Sequence, residues 1–115
     1  AELEARLLSG EAWARMHKGE VREALDLLTR ARTVTEREPF SDLDRAEILY
    51  RLGVCRYKLS SISTAVGLFN EAYAVAEASE LPCDLLRSNI LAYRSRCYRR
   101  HDNRSGPPGL IASNG

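Results

Sequence analysis

Apolar residues recur along this chain at intervals of three and four, which is the spacing of one face of an α-helix. The first such stripe contains Leu3, Leu7, Leu8, Ala12 and Met16. Four more stripes follow, and short segments with polar residues or proline separate them. The pattern therefore predicts five helices, over residues 2–17, 20–37, 42–59, 61–79 and 84–100.

Turn signals lie between the predicted helices. Gly19 can adopt the left-handed backbone conformation that often ends a helix, and Pro39 cannot continue the second helix. Ser41, followed three residues later by Asp44, is a suitable N-cap for the third helix. Ser60 stands at the second turn, where the first turn has glycine. These signals predict two helical hairpins and one further helix.

One spacing of small and large apolar residues occurs twice. Ala24, Leu28 and Ala31 follow one another at intervals of four and three. The same intervals recur 41 residues later in Ala65, Phe69 and Ala72. Small residues allow two helices to approach closely, and the larger residue fills the space beside them. A helix pair that recurs at this period indicates a stacked repeat protein.

The second hairpin resembles the tetratricopeptide repeat family at six signature positions: Leu49, Leu52, Gly53, Ala65, Phe69 and Ala72. The first hairpin matches at Leu8, Ala12, Gly19, Ala24, Leu28 and Ala31. It departs from the family pattern at Glu11, and both hairpins lack the closing proline. The resemblance implies an all-α fold, a right-handed stack of about five antiparallel helices. Residues 1–103 would form two full repeats and the first helix of a third.

The repeat period of 41 to 42 residues exceeds the period of about 34 that is common in the family. It is similar to the longer version found in bacterial regulators, of which this chain would be a fragment. Residues 104–115 include Gly106-Pro107-Pro108-Gly109, which cannot continue a helix. We interpret residues 104–115 as a disordered or non-native tail, with a frameshifted end of a longer repeat array as the alternative.

Composition is typical of one soluble domain, with 44% hydrophobic and 29% charged residues. No apolar run approaches the roughly 20 residues that cross a bilayer, and no signal peptide is visible. Cys55, Cys83 and Cys97 have spacings that match no zinc motif. We therefore expect a cytoplasmic protein with reduced thiols, with no metal and no cofactor.

Nothing in the sequence resembles a catalytic centre. The two histidines, His17 and His101, lie at opposite ends of the chain, and no glycine-rich phosphate loop is present. Acidic residues alternate with arginine on predicted solvent faces. We therefore expect a binding protein that is not an enzyme.

The resemblance places the first helix of each unit on a concave side of the stack. The partner-binding groove that it implies would contain Arg6, Trp13, His17, Tyr50, Tyr57, Lys58, Arg96, Arg99 and Arg100. Ser9 and Val54 would also line it. Aromatic and basic groups suit a peptide or partner helix of acidic character. For Trp13 and Tyr57, packing between helices is the alternative role.

Charge is unevenly distributed along the chain. Residues 1–86 carry 15 acidic and 11 basic residues, whereas residues 87–115 carry one acidic and six basic residues. Arginines that alternate with Tyr93 and Tyr98 allow an alternative function, a small nucleic-acid-associated protein that uses its last helix. This basic segment is only one helix long and contains no recognised nucleic-acid motif, so protein binding is favoured.

The fifth helix lacks the second helix of its unit. Its apolar residues are therefore expected to be partly exposed: Leu86, Ile90, Leu91 and Tyr98. A homodimer through this helix would cover them. Alternatively, the tail would fold over the helix, with Leu110 and Ile111 as the covering residues.

Overall fold

The computed structural model describes residues 2–37 and 41–104, and these residues form five α-helices and no strand. The helices are α1 (Glu2–His17), α2 (Val21–Arg37), α3 (Asp42–Lys58), α4 (Ile62–Ala78) and α5 (Asp84–Arg104). The predicted all-α class is confirmed, and the predicted boundaries hold within one residue except at the end of α5. Pro39 and residues 105–115 of the predicted tail lie outside the described residues.

Both hairpin turns use the same backbone arrangement. Gly19 has a φ of 88° and Ser60 a φ of 66°, so each adopts the left-handed conformation after its helix. In the first turn the Glu20 N–H donates to the Arg15 carbonyl at 3.0 Å, and in the second the Ser61 N–H donates to the Arg56 carbonyl at 2.8 Å. A serine therefore occupies a conformation that favours glycine.

The helices pack as a stack of hairpins. Helix α1 packs against α2, and α3 packs against α4, while α2 also contacts α3 and α4 also contacts α5. Helix α3 is the only one that contacts all the others within the described part of the chain. The first helices of the units, α1, α3 and α5, consequently lie side by side.

The predicted small residues mark the closest helix contacts. Ala24, Ala31, Ala65 and Ala72 are all fully buried. A Cβ atom placed on Gly53 would lie 2.5 Å from Cε1 of Phe69. The Phe69 ring therefore occupies the space that a side chain at residue 53 would need.

The apolar stripe predicted for α1 is partly wrong. Leu3 and Leu7 are 69% and 65% exposed. The buried face of the helix instead carries Ala5, Ser9, Ala12 and Met16, with Leu8 half-buried. The reason is that α1 contacts only α2 and α3 among the described helices, so its remaining side faces solvent.

The partial exposure predicted for the apolar residues of α5 is confirmed for Leu86, Leu91 and Tyr98 and is wrong for Ile90. Ile90 is fully buried together with Cys97, because this side of α5 faces α4 and α3. Leu86 and Leu91 are half-buried, and Tyr98 is 49% exposed. Other residues on the outer side of the helix are mainly small or polar and are exposed: Ser88, Ala92, Ser95 and Arg99.

Candidate partner-binding groove

Four aromatic rings form a continuous row across α1, α3 and α5, which we call the aromatic row: Trp13, Tyr50, Tyr93 and Tyr57. The ring centroids of Trp13 and Tyr50 lie 6.1 Å apart, those of Tyr50 and Tyr93 5.9 Å, and those of Tyr93 and Tyr57 5.6 Å. Phe69 of α4 supports the row from the core, stacked 5.8 Å from Tyr93. The tilted and edge-to-face geometry is the favourable one for aromatic pairs.

Arginine guanidinium groups cover three rings of this row. Arg51 lies 5.0 Å from the centroid of Trp13, and Arg96 lies 4.6 Å from that of Tyr93. Arg100 lies 4.8 Å from the centroid of Tyr57. Such cation–π contacts are favourable, and here they give an aromatic surface a positive outer layer.

Two residues of this site were not predicted to belong to the groove. Arg51 was missed, and Tyr93 was assigned only to the alternative nucleic-acid role. Arg51 donates to the carbonyl and hydroxyl oxygens of Ser9 at 3.2 and 2.8 Å, which joins α3 to α1. Gly10, Arg51 and Tyr93 are 41 and 42 residues apart. In units two and three this position contacts the first helix of the preceding unit, so the repeat period was the signal that could have identified both residues.

Two predicted residues make contacts near the beginning and end of α1. The Arg6 guanidinium forms an ion pair with Asp44 at 2.7 Å, which links α1 to α3. Nδ1–H of His17 donates to the Trp13 carbonyl at 2.8 Å, and the two rings meet edge to face. Val54 is fully buried, whereas Ser9, although 4% exposed, lines a separate cleft of about 240 Å³ between α1 and α3, together with Arg6 and Asp44.

Arg100 has a structural role as well as a place in the row. Its guanidinium donates to the Tyr57 carbonyl at 2.9 Å and to the Ser60 hydroxyl at 2.8 Å. These bonds satisfy acceptors at the end of α3, where helical carbonyls have no partner within their own helix. Tyr57 therefore has the packing role between helices that was considered for it, since its ring contacts Tyr93 of α5. Arg100 takes part in the same contact between α3 and α5.

The three remaining predicted cations differ in position. Arg96 is exposed above the row, and Lys58 is exposed at the end of α3 beside it. Arg99 is exposed too, but it contacts no aromatic ring and no carboxylate within the described residues. Its position on α5 is equivalent to Tyr57 on α3, 42 residues earlier. Tyr57 faces the following unit, where it contacts Tyr93 of α5. Arg99 therefore faces the C-terminal end of the stack and not the row.

A hollow of about 220 Å³ opens beside the row, between α1, α3 and α5. Its lining consists of Trp13, Glu47, Tyr50, Arg51, Leu85, Leu86 and Asn89. Glu47 is held by Arg51 at 3.6 Å, and Leu85 is 76% exposed at the rim. Burial raises the pKa of Tyr50, so its phenol is neutral at physiological pH. The hollow thus combines apolar walls with polar groups at its edge.

Other chemistry is sparse in the part of the chain that the structure describes. No three His, Cys, Asp or Glu side chains are grouped so that they could hold a metal ion. Burial raises the pKa of the Cys55 thiol to about 11 and also raises the pKa of Cys97. Both thiols are therefore protonated at neutral pH, as expected of packed apolar positions rather than of nucleophiles.

None of the described helices combines the length and apolar character that crossing a bilayer requires.

Comparison of the chain with protein-family models, with curated proteins and with solved structures finds no match. The resemblance to tetratricopeptide repeats therefore stays a prediction, whereas the stack of helical hairpins is a property of the structure itself.

Proposed function

We propose that this protein is a protein–protein interaction module, a scaffold or peptide-sensing domain without enzymatic activity. It binds an acidic peptide or partner helix along the groove formed by α1, α3 and α5. The observation that carries this proposal is the aromatic row with its arginine layer and adjoining hollow, because aromatic and arginine side chains dominate binding energy in protein interfaces.

The charge of the surface supports an acidic partner. Lys58 and Arg96 are exposed beside the row, and neither forms an ion pair with a carboxylate among the described residues. The one carboxylate in the hollow, Glu47, is engaged by Arg51 at 3.6 Å. Unpaired cations next to an apolar surface favour carboxylates and raise association rates with them.

The hollow supports an apolar anchor on the partner. Trp13, Tyr50 and Leu86 form its walls, and each is only half-buried. Insertion of an aliphatic or aromatic side chain would remove this surface from water, which contributes roughly 25 cal/mol for each Å². A partner with one apolar residue flanked by carboxylates therefore matches the site.

The residues of the groove divide into two roles under this proposal. Trp13, Tyr57 and Arg100 hold the row together, so replacing them would alter the fold as well as binding. Lys58 and Arg96 are free to contact a partner, and Leu85 at the rim can close over its apolar residue. The exposed group is therefore the one to change in binding experiments.

A labelled probe peptide tests the proposal, with a central leucine flanked by glutamates and a matched peptide with lysines in their place. We expect fluorescence anisotropy to report binding of the acidic peptide alone, and Lys58→Glu with Arg96→Glu to weaken it at least tenfold. Arg22→Glu with Arg30→Glu is the matched control, since it reverses the same number of charges and both arginines are exposed on α2, outside the groove. Equal binding of both peptides, or equal effects of all the variants, contradicts the proposal.

A nucleic-acid-associated role is the second candidate, favoured only by the arginines of α5. Base stacking needs free aromatic faces, but here Arg51, Arg96 and Arg100 already cover rings of the row. Titration of a single-stranded oligonucleotide at several salt concentrations separates the two functions. Steeply salt-dependent binding favours the nucleic-acid role, because phosphate contacts release counterions.

We also propose a cytoplasmic location. Cys55, Cys83 and Cys97 are all unpaired in the structure, and unpaired thiols are typical of a reducing compartment. Alkylation of all three thiols in protein denatured without a reductant, directly after cell lysis, would agree with this.

A further inference from the structure

The two ends of the groove differ in the groups that a bound partner would meet. Arg6 of α1 pairs with Asp44 in the first turn of α3, so the starts of these two helices lie together. At the other end, Arg100 of α5 donates to the Tyr57 carbonyl, so the ends of α3 and α5 also lie together. The three helices therefore run in one direction, and the groove leads from their first turns to their last turns.

The groove cations that pair with no described carboxylate, Lys58 and Arg96, stand on one side of the hollow, toward the helix ends. Lys58 lies eight residues beyond Tyr50 of the hollow. Arg96 covers the ring of Tyr93, which lies seven residues beyond Leu86 of the hollow. At about 1.5 Å of helix rise per residue, a carboxylate that contacts these cations is about 10 to 12 Å from an apolar side chain in the hollow.

On the other side of the hollow, toward the helix starts, the groove has carboxylates of its own. The cleft of about 240 Å³ between α1 and α3 shares Glu47 and Arg51 with the hollow. Asp44 in this cleft is 2.7 Å from Arg6, and Glu47 is 3.6 Å from Arg51. A partner's carboxylate placed here would meet two carboxylates whose arginines are already engaged, and like charges brought together are unfavourable. The groove therefore favours acidic residues on one side of the hollow only.

The groove suits an extended peptide better than an amphipathic helix. A helix binds through several apolar anchors on one face, whereas the cleft beside the hollow is lined mainly by polar and charged side chains. Asn89 lines the hollow and is exposed, and its side-chain amide bonds to no other described residue. An amide can pair with the free backbone N–H and C=O groups of an extended peptide, while those of a helix are already paired.

We infer that the groove holds an extended peptide in one register, with an apolar side chain in the hollow and carboxylates three and four residues away from it. An extended chain advances about 3.3 Å per residue, so three to four residues cover the distance from the hollow to Lys58 and Arg96. The carboxylates lie on one side of the apolar residue only. This register rests on the proposed binding function and defines the partner by the spacing and the side of its charges.

A series of labelled peptides measures the spacing on the unchanged protein by fluorescence anisotropy. Each peptide has one leucine and two glutamates, at positions 1 and 2, 3 and 4, or 7 and 8 from it, on its N-terminal or its C-terminal side. We expect positions 3 and 4 to bind about fivefold more tightly than the others. Tightest binding at 7 and 8 would indicate a helical partner and overturn the register, as would equal binding of all spacings. If no acidic peptide binds at all, the proposed function itself is wrong.

A peptide with glutamates at positions 3 and 4 on both sides of the leucine tests whether one side alone is used. We expect it to bind no more tightly than the better one-sided peptide. Glu47→Gln removes a carboxylate beside the hollow and should strengthen binding of the two-sided peptide more than that of the one-sided peptide. Glu71→Gln is the matched control, since Glu71 also pairs with an arginine but lies on α4, outside the groove. Much tighter binding of the two-sided peptide by the unchanged protein overturns the one-sided register.

Charge reversal tests which cations set the spacing. Lys58→Glu with Arg96→Glu should bind peptides in which lysines replace the glutamates, again most tightly at positions 3 and 4. Arg22→Glu with Arg30→Glu reverses two exposed charges on α2 and should keep the preference for glutamates at these positions. Thermal melting confirms that both variants are folded. A folded Lys58→Glu, Arg96→Glu protein that still prefers glutamates, or that prefers lysines at another spacing, overturns the register.

Discussion

The two complete hairpins repeat one spacing but fill it with different residues. Ala12 and Leu28 of the first hairpin are equivalent to Gly53 and Phe69 of the second, 41 residues later. All four are buried. We call the closest contact between the two helices of a hairpin its joint. The first joint combines the methyl group of Ala12 with the aliphatic side chain of Leu28, and the second combines Gly53, which has no side chain, with the aromatic ring of Phe69. What the two hairpins share is therefore the filled volume between their helices rather than any one side chain.

The hairpins also differ in their neighbours. The second packs against α1 and α2 on one side and against α5 on the other. Among the described helices, the first hairpin contacts others only on the side of α3, so Leu7 is exposed where Ile48 is buried. Equivalent residues in the two hairpins therefore experience different environments, and substitutions at them should have different effects.

The largest difference is expected at the joint inside each hairpin. Gly53→Ala should lower the free energy of unfolding by about 2–3 kcal/mol, because the new Cβ would lie 2.5 Å from the Phe69 ring. Urea denaturation measures this. Gly67→Ala is the control on the neighbouring helix, with nothing within 4 Å of its Cβ, and it should stabilise the protein by up to about 1 kcal/mol.

A double variant sharpens the same comparison. Phe69→Leu in the Gly53→Ala background converts the second joint to the residues of the first. It should restore at least about 1 kcal/mol of the lost stability, because contacting residues are energetically coupled. Additive effects of the two substitutions would mean that Gly53 and Phe69 do not share one space.

The next effect concerns Cys55, which is buried where the equivalent Ala14 is exposed. Burial raises the pKa of its thiol from 9.0 to about 11. The unfolded chain therefore loses this proton at lower pH than the folded one, and stability falls by about 2 kcal/mol as the pH rises from 9 to 11. Cys55→Ala should flatten this dependence, which urea denaturation repeated between pH 9 and 11 measures.

The turns should respond differently in the two hairpins. Gly19→Ala should destabilise by about 1 kcal/mol, because alanine is strained at a φ of 88°. Ser60→Asn should change stability by less than about 0.5 kcal/mol, because asparagine tolerates the φ of 66° and keeps a side-chain oxygen that can accept from Arg100. Thermal melting of both variants measures the difference, and equal losses would contradict it.

The smallest expected effect separates two neighbouring arginines of α5. Arg100→Ala should destabilise by about 1 kcal/mol, since Arg100 bonds to the Tyr57 carbonyl and the Ser60 hydroxyl. Arg99→Ala should stay within about 0.5 kcal/mol of the unchanged protein, as substitutions of exposed, unpaired residues usually do. Similar losses for both would mean that Arg99 has a packing role.

Most of the fold could be predicted from the sequence because its signals are local. Ser41 accepts from the Asp44 N–H at 3.5 Å, as its N-cap position predicted. Gly19 and Ser60 ended their helices where expected. The packed side of α1 was mistaken because this helix has two apolar stripes, and the periodicity gives no preference between leucines and small residues. Only the position of α2 and α3 decides which stripe is buried.

The groove could be predicted less well than the fold. Trp13, Tyr50, Tyr57 and Arg96 were assigned to the groove from the family resemblance, and they lie together in the structure. Arg51 was missed although the repeat period makes it equivalent to Tyr93, and its bonds to Ser9 become evident only when α1 is placed beside α3. Arg99 was assigned to the groove because adjacent arginines look alike in a sequence, although they differ by about 100° around a helix.

The central position of α3 has a consequence for how the molecule opens. Within the described residues the backbones of α1 and α2 do not approach those of α4 and α5, and the Arg32–Glu71 ion pair at 3.1 Å is a side-chain link between α2 and α4. The helices at either end of the stack can therefore separate while the others stay folded. Helix α3 can unfold only when its contacts with all four other helices are broken. Amide hydrogens of α3 should consequently exchange with deuterium only through global unfolding, whereas those of α1 and α5 exchange through partial openings at lower free energy.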